Sequence, residues 1–330
     1  MNLKSKIYVA GHCGLAGSAL VRALCARGHE VLLLRTSKEL DLTEQAGVRR
    51  LFESERPEYV FDAAAKVGGI KANSSLPAEF VHINLAIQTN LIHEAWRAGV
   101  KRLLFLGSNC IYPRECPQPM KEEHLLTGSV EPTNRPYAIA KIAGIEMCWA
   151  YNRQYGTRFA VPVPASLYGP NDHYDPEHSH VISAFIRKFY EAKKKHLSPV
   201  TRHSSPDNKV VLWGSGTPRR EFLHVDDMAA ACLHLMGLPD GEWDALFPST
   251  RAPIVNIGTG TDQTIAELAE TTRRALGTSA GIEWDRSKPD GMPRKLCDSS
   301  RMLGTGWRPA IDLDAGIRAL ITELDKRFAN

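Results

Sequence analysis

Residues 6–17 read KIYVAGHCGLAG, and the fold is decided there. Lys6 to Ala10 is a short apolar run; Gly11, Gly14 and Gly17 follow with the spacing GxxGxxG, and a helical pattern continues through Ser18 to Arg27. Strand, glycine turn and helix in that order make a phosphate-binding turn. The glycines let the backbone approach a pyrophosphate, whose charge meets the unpaired N–H groups and the positive end of the helix. Leu15 and Ala16 lie inside the turn and join the glycines as candidate contacts to a dinucleotide. A second apolar run, Glu30 to Leu34, ends at Arg35, where folds that take NAD usually place an acidic residue for the ribose hydroxyls. Arg35 and nearby Lys38 suit a 2′-phosphate instead, so NADP(H) is the expected cofactor, with Glu39 and Asp41 the nearest acidic residues.

Outward from this turn the rhythm repeats. A helix is expected near Thr43 to Glu53, a strand at Tyr59 to Ala63, a long helix near Ala78 to Ala98, and a strand at Arg102 to Leu106. Another helix begins after Asn134, with Pro136 in its first turn, and runs to about Tyr155 before a strand at Phe159 to Val163. Continuous apolar strands alternating with helices imply a parallel sheet covered on both faces. The fold class is therefore α/β, a Rossmann-like doubly wound parallel sheet with a smaller α/β substrate domain.

After Ser166 the rhythm loosens, and a polar basic stretch from Lys193 to Lys209 reads as a surface insertion. Later segments are a helix at Val181 to Lys195, a strand at Val210 to Trp213, a helix at Asp226 to Met236, and a strand at Ile254 to Ile257 able to rejoin the first sheet. Amphipathic helices are expected at Ile265 to Leu276 and Leu313 to Leu324. The expected division is 1–166 plus about 223–258 for the dinucleotide, and about 167–222 plus 259–330 for the substrate.

Composition narrows the function classes. The 330 residues are 43% hydrophobic and 24% charged, as in a globular protein. A formal charge of +4, from 41 Lys and Arg against 37 Asp and Glu, is too slight and dispersed to argue for nucleic acid. Seven cysteines stand singly, with no CxxC pair and no metal-ligand spacing, so no metal is expected and a reduced, cytoplasmic protein is. The amino-terminal glycines would break a signal helix, no segment nears the ~18–20 apolar residues of a membrane span, and the mean hydropathy is −0.26. Membrane and export roles are set aside.

Tyr137 and Lys141 stand four apart on a predicted helix and so share one face. An ammonium there is expected to lower the phenol's pKa and make Tyr137 a proton donor to a carbonyl oxygen as hydride reaches its carbon. Ser108, past the Arg102 to Leu106 strand, offers that oxygen a second hydrogen bond. Tyr190 and Lys194 repeat the spacing on a basic helix with no serine-bearing strand end nearby, and read as surface.

Several segments resemble a known family: AGHCGLAGSA, AAAKVGGIKAN, LGSNCIYP, EPTNRPYAIAKIAG, YNRQYG, LYGPND, SHVI, VVLWGSGTPRREFLHVDDMAAA and SKPDGMPRKLCD. Over nearly the whole chain they resemble the extended short-chain dehydrogenase/reductases, and within these the GDP-L-fucose synthases. The resemblance implies epimerisation of GDP-4-keto-6-deoxy-D-mannose at C3 and C5, followed by NADPH reduction at C4. It implies that Cys110 and His180 are the acid and base that invert the carbons flanking the ketone. It adds Leu106, Gly107, Pro164, Leu167, Lys141 and His180 to the cofactor contacts, and Lys188, Trp213, Arg220 and Asp290 as contacts to the GDP-sugar. Cationic Lys188 and Arg220 suit a pyrophosphate, and an indole offers a flat face to a base or sugar. Each contact also has a plain structural reading: Lys188 solvated, Trp213 in the core, Arg220 paired with Glu221, Asp290 opening a turn. Departures from the family pattern are Cys13 for Arg, Asn109 for Ser, and Pro164-Ala165-Ser166-Leu167 for Pro-Thr-Asn-Leu. Alternatives kept open are another GDP-4-keto sugar, as in colitose or 6-deoxyheptose formation, and a nucleotide-sugar 4-epimerase. A 4,6-dehydratase is disfavoured because Asn109 and Cys110 stand where such enzymes place Asp and Glu. The family also implies a homodimer built on the two long helices.

Overall fold

The computed structural model describes residues 1–175, 179–197, 209–288 and 290–328. In chain order its elements begin with β1 (Ile7–Ala10), α1 (Leu15–Ala26), β2 (Leu32–Leu33), α2 (Gln45–Glu55), β3 (Tyr59–Asp62) and α3 (Ile70–Ser75). They continue with α4 (Pro77–Arg97), β4 (Arg102–Phe105), α5 (Arg135–Tyr155), β5 (Phe159–Pro164), β6 (Ser166–Tyr168) and α6 (Val181–Leu197). Next come β7 (Lys209–Trp213), β8 (Arg219–Arg220), β9 (Phe222–His224), α7 (Val225–Gly237), α8 (Asp240–Leu246) and β10 (Ile254–Ile257). The last are β11 (Gln263–Thr264), α9 (Ile265–Leu276), β12 (Gly281–Asp285), β13 (Arg294–Lys295), α10 (Ser300–Gly304) and α11 (Leu313–Phe328).

A six-stranded sheet in the order β10-β5-β4-β3-β1-β2 forms the centre. Every pairing in it is parallel. Strand β2 is shorter than the expected Glu30 to Leu34 run; it lies at the sheet edge and pairs with β1 alone. At the opposite edge β10 joins β5, as the sequence pattern allowed.

The sheet is buried on both faces, so its strands read as unbroken apolar runs. Val48, Leu91 and Ile145 of α2, α4 and α5 pack on one face. Leu20, Met228 and Trp243 of α1, α7 and α8 pack on the other, where Met302 and Trp307 join them. A third cluster, including Ile186, Phe189, Leu268 and Ile317, lies among α6, α9 and α11. Tyr190 belongs to this cluster and is buried. Its reading as a surface residue is therefore corrected: the spacing to Lys194 places the lysine over the ring, while the ring itself faces the core. The Lys193 to Lys209 insertion lies largely outside the described residues.

Helix α5 has Pro136 in its first turn and ends on Gly156, whose φ of 67° suits a left-handed cap that glycine takes without strain. It runs beside α4 and approaches the sheet through Gly144. A Cβ there would stand 2.4 Å from the Phe105 ring, so only glycine lets the helix come this close. Gly144→Ala is expected to lower stability by about 1–3 kcal/mol, the usual cost of overpacking a close-packed core. Urea unfolding measures it, and an unchanged midpoint would show that α5 shifts freely on the sheet.

Candidate active site

Parallel strands end on one side of the sheet, and the glycine turn, Ser108 and the β5–β6 junction all follow strand ends on that side. Gly11 has φ +75°, and a Cβ on it would lie 2.8 Å from the backbone of Ala63 and Ala64. A Cβ on Gly17 would lie 2.1 Å from the Gly11 carbonyl oxygen. Both glycines are thus required by the chain's own packing. Gly14 differs: a Cβ there would meet one atom, the Gly11 oxygen, at 3.5 Å, so its outer side is open to a ligand. Helix α1 starts at Leu15 and Ala16 without a side-chain cap or an acidic first turn, leaving N–H groups and positive potential directed at that opening. The turn fits a dinucleotide pyrophosphate.

Arg35 is tied back to its own lobe, donating to the Leu34 carbonyl at 2.9 Å and to Glu55 at 3.2 Å. A half-exposed ion pair is worth only about 0–1 kcal/mol, so a 2′-phosphate competes with it readily. Glu39 caps its own turn, accepting from the Thr36 N–H and hydroxyl at 2.8 Å, and Asp41 does the same for Thr43. In the turn itself Cys13 Sγ lies 3.2 Å from His12 Nε2.

Leu106 and Gly107 continue β4: the Leu106 N–H donates to Asp62 at 3.0 Å and the Gly107 N–H to Pro162 at 2.9 Å. Ser108 then caps a short turn, its hydroxyl oxygen accepting from the Cys110 N–H at 3.4 Å. At the end of β5, Pro164 pairs in register with Ile257, and Leu167 in β6 pairs with Leu223. Cys110, Tyr137 and Lys141 converge on this region from the loop after β4 and from α5. Cys110 is 4% exposed, and burial pushes its thiol up, against the Lys295 and Lys141 cations and Ser108.

In this structure burial works against the expected acidification of Tyr137 by Lys141. Burial raises the phenol well above its ordinary range, with the neighbouring Cys110 adding to the rise. Lys141 Nζ instead donates to the Leu106 carbonyl at 2.7 Å and lies 4.2 Å above the Phe105 ring, 5.9 Å from the Tyr137 ring centroid. Spacing along a helix placed both residues on one face but left open where the ammonium points. Burial also lowers the Lys141 pKa, with Asp62 the largest influence opposing it.

His180 stands at the start of α6. Its Nδ1 lies 3.5 Å from Asp172, which also accepts from the Ser183 hydroxyl at 2.6 Å and the His173 N–H at 2.8 Å. The buried carboxylate raises the imidazole's pKa, more than burial lowers it. The structure thus ties His180 to Asp172, and ties Cys110 electrostatically to Tyr137, Lys141 and Lys295.

The candidate sugar-nucleotide residues gather around β7 and β8. Lys188 donates to the Val211 carbonyl at 2.9 Å and lies 5.6 Å over Trp213. Trp213 is 42% exposed, so the core reading of this indole fails. Arg220 does not pair with Glu221, whose carboxylate accepts from the Gly260 N–H at 2.7 Å and the Cys297 N–H at 2.9 Å. Burial lowers Arg220 to about 10, with Asp290 and Glu131 opposing. Asp290 accepts from Ser215 N–H at 2.7 Å and from its hydroxyl at 2.8 Å, and Gly291 has φ +73°, so it also serves the turn. Lys295, in register with Arg220, is a second half-buried cation that the sequence reading passed over, although it sits in the quoted SKPDGMPRKLCD. Asp172 was missed likewise.

A glycine turn open to a pyrophosphate, with a half-buried phenol and a buried ammonium and thiol at the ends of a parallel sheet, defines the class: a Rossmann-fold oxidoreductase site. The profile of the NAD dependent epimerase/dehydratase family matches residues 7–258. The GDP-L-fucose synthase of Escherichia coli strain K12 is 50% identical over 95% of this chain and 94% of its own. GDP-L-fucose synthase 1 of Arabidopsis thaliana is 51% identical over 95% of this chain and 91% of its own. Among solved structures, a GDP-mannoheptose C4 reductase from Campylobacter jejuni with NADP bound superposes with a TM-score of 0.88 at 39% identity, covering 99% of both chains. The chain belongs to the NAD dependent epimerase/dehydratase family and stands with the GDP-L-fucose synthases within it.

Asp172→Asn is expected to lower the His180 pKa toward that of an ordinary imidazole, because the carboxylate that raises it most loses its charge. An NMR titration of the imidazole C–H signals checks the direction, and an unmoved titration would remove Asp172 as the partner.

Proposed function

We propose that the chain is an NADPH-dependent epimerase and reductase that converts GDP-4-keto-6-deoxy-D-mannose to GDP-L-fucose. The observation that carries this reading is the buried neighbourhood of Cys110, Tyr137 and Lys141 at the sheet's strand ends, with the cations Lys295 and Arg220 beside it. A ketone reductase needs a phenol and an ammonium; a thiol in the same place has a use only if carbons next to the ketone also exchange protons.

C3 and C5 flank the C4 ketone, so losing a proton from either yields an enolate whose oxygen is the ketone oxygen. Ser108 and Tyr137 donate hydrogen bonds to that oxygen, and one oxyanion site serves both stages. Cys110 and His180 exchange protons with the two carbons, one removing and the other returning on the opposite face. Bound NADPH supplies the hydride for C4. Tyr137, held as a neutral phenol by burial, gives its proton to the oxygen. Gly11, Gly14, Gly17 and the start of α1 hold the pyrophosphate of the cofactor, Arg35 its 2′-phosphate, and Leu106, Gly107, Lys141, Pro164, Leu167 and His180 its nicotinamide half. Arg220, Lys188, Trp213 and Asp290 hold the GDP-sugar.

The cofactor-binding part is 1–166 with about 223–258, and the rest binds the sugar nucleotide. Its seven cysteines are free thiols, which suits a reducing cytoplasm. Among the described residues no helix is long and apolar enough to cross a membrane. The working form is a homodimer built on α4 and α5. In support, Trp96 and Tyr155 stack at 4.3 Å on these helices, and Tyr155 and Ile139 are 45% and 42% exposed.

Incubation with GDP-4-keto-6-deoxy-D-mannose in heavy water should place deuterium at C3 and C5, and NADPH should then be oxidised. NADPH oxidation without label would reject the epimerase half. Cys110→Ser should cut label uptake by ~100-fold, the scale of acid–base catalysis, while leaving NADPH affinity within about twofold. Sedimentation should give twice the chain mass, and Tyr155→Glu should shift it toward the monomer.

A further inference from the structure

Asp62 ends β3, between Ala10 of β1 and Phe105 of β4, and is fully buried. One carboxylate oxygen accepts from the Ala64 N–H at 3.1 Å; the other is buried without a hydrogen-bond partner. A carboxylate so placed is costly unless a cation faces it. The Asp62 backbone carbonyl accepts from the Leu106 N–H at 3.0 Å, and the Leu106 carbonyl accepts from Lys141 Nζ at 2.7 Å, so the backbone of Asp62 and the amine of Lys141 both bond to Leu106, on its two adjacent peptide groups. Gly144, one turn beyond Lys141, lets α5 come close enough for that reach.

We propose that Asp62 is a positioning residue for the reduction: its buried carboxylate is the counter-charge that keeps Lys141 an ammonium and holds it at the strand ends. This rests on the reading of the site as a reductase. Three groups influence Lys141 favourably: Asp62 first, then Cys110, then Cys148 of its own helix. Burial pushes both thiols up, so neither is charged at neutral pH, and Asp62 alone of the three carries a formal negative charge. Around Asp62 the facing groups are Lys141, the buried Tyr8 of β1 and Cys148, and the phenol and thiol are neutral. Burial raises Asp62 to about 6, with the Lys141 cation the largest influence holding it down. The dependence is mutual: each ion is the main support of the other in a dry place.

The test uses the full chain. In cofactor-free protein carrying 13C-labelled aspartate, one carboxyl should titrate near pH about 6, vanish in Asp62→Asn and move upward in Lys141→Met. In the rate profile for NADPH-dependent ketone reduction, Asp62→Asn should carry the alkaline limb to lower pH, because Lys141 loses its proton more easily without the carboxylate. Substrate KM should stay within about twofold, and a cooperative thermal melt is the fold control. An Asp62 carboxyl unmoved by Lys141→Met, or superimposable pH profiles, would overturn the proposal. Should Asp62→Asn fail to fold, the carboxyl titration in Lys141→Met decides alone. A wild type that leaves NADPH unoxidised would sink the reductase reading, while the carboxyl titration would still decide the counter-charge.

Discussion

The hydrogen bond from Lys141 to the Leu106 carbonyl joins the helix that carries the phenol to the strand end that carries the serine and thiol. It can form because Gly144 has no side chain to hold α5 away from Phe105. From this contact the rest follows. Tyr137 is brought down onto the strand ends, water is kept from the thiol and the amine and partly from the phenol, and each of the three has its pKa moved in the direction that neutralises it. Desolvation is the largest influence on these three, with Asp62 opposing it at Lys141, whereas at His180 the pairing with Asp172 prevails.

Much of this was legible in the sequence because it depends on local pattern. The glycine turn after β1 declares itself by spacing, and the alternation of apolar runs with helical periods gives the parallel sheet, down to the edge strand β10. Helix α9 was placed at its observed limits, Ile265–Leu276, by its amphipathic pattern, and the structure closes those limits with a Thr264–Glu267 capping box and a left-handed cap at Gly277. The edge strand β2 was overdrawn because an apolar run does not reveal that its outer side lacks a neighbour.

What was illegible depends on burial and on the direction of long side chains. The i, i+4 spacing placed Tyr137 and Lys141 on one face but could not say that the amine turns to a backbone carbonyl while the phenol is dehydrated. Tyr190 looked like surface because its neighbours in sequence are basic, yet the ring packs in the third cluster. Asp62, Asp172 and Lys295 escaped notice for a related reason: a charged residue in an ordinary stretch gains its meaning from partners far along the chain.

The neighbouring cations Arg220 and Lys295 have a consequence for how the pocket behaves when empty. Both have been stripped of much of their water, each repels the other, and burial drives down the pKa of each. A cleft in that condition is electrostatically uncomfortable, with Asp290 and Glu131 giving Arg220 partial relief. A dianionic diphosphate settling there would remove the discomfort of both cations at once. On the proposed function, relief of this repulsion would add to the affinity for the diphosphate, and binding to the folded form would stabilise the chain by mass action.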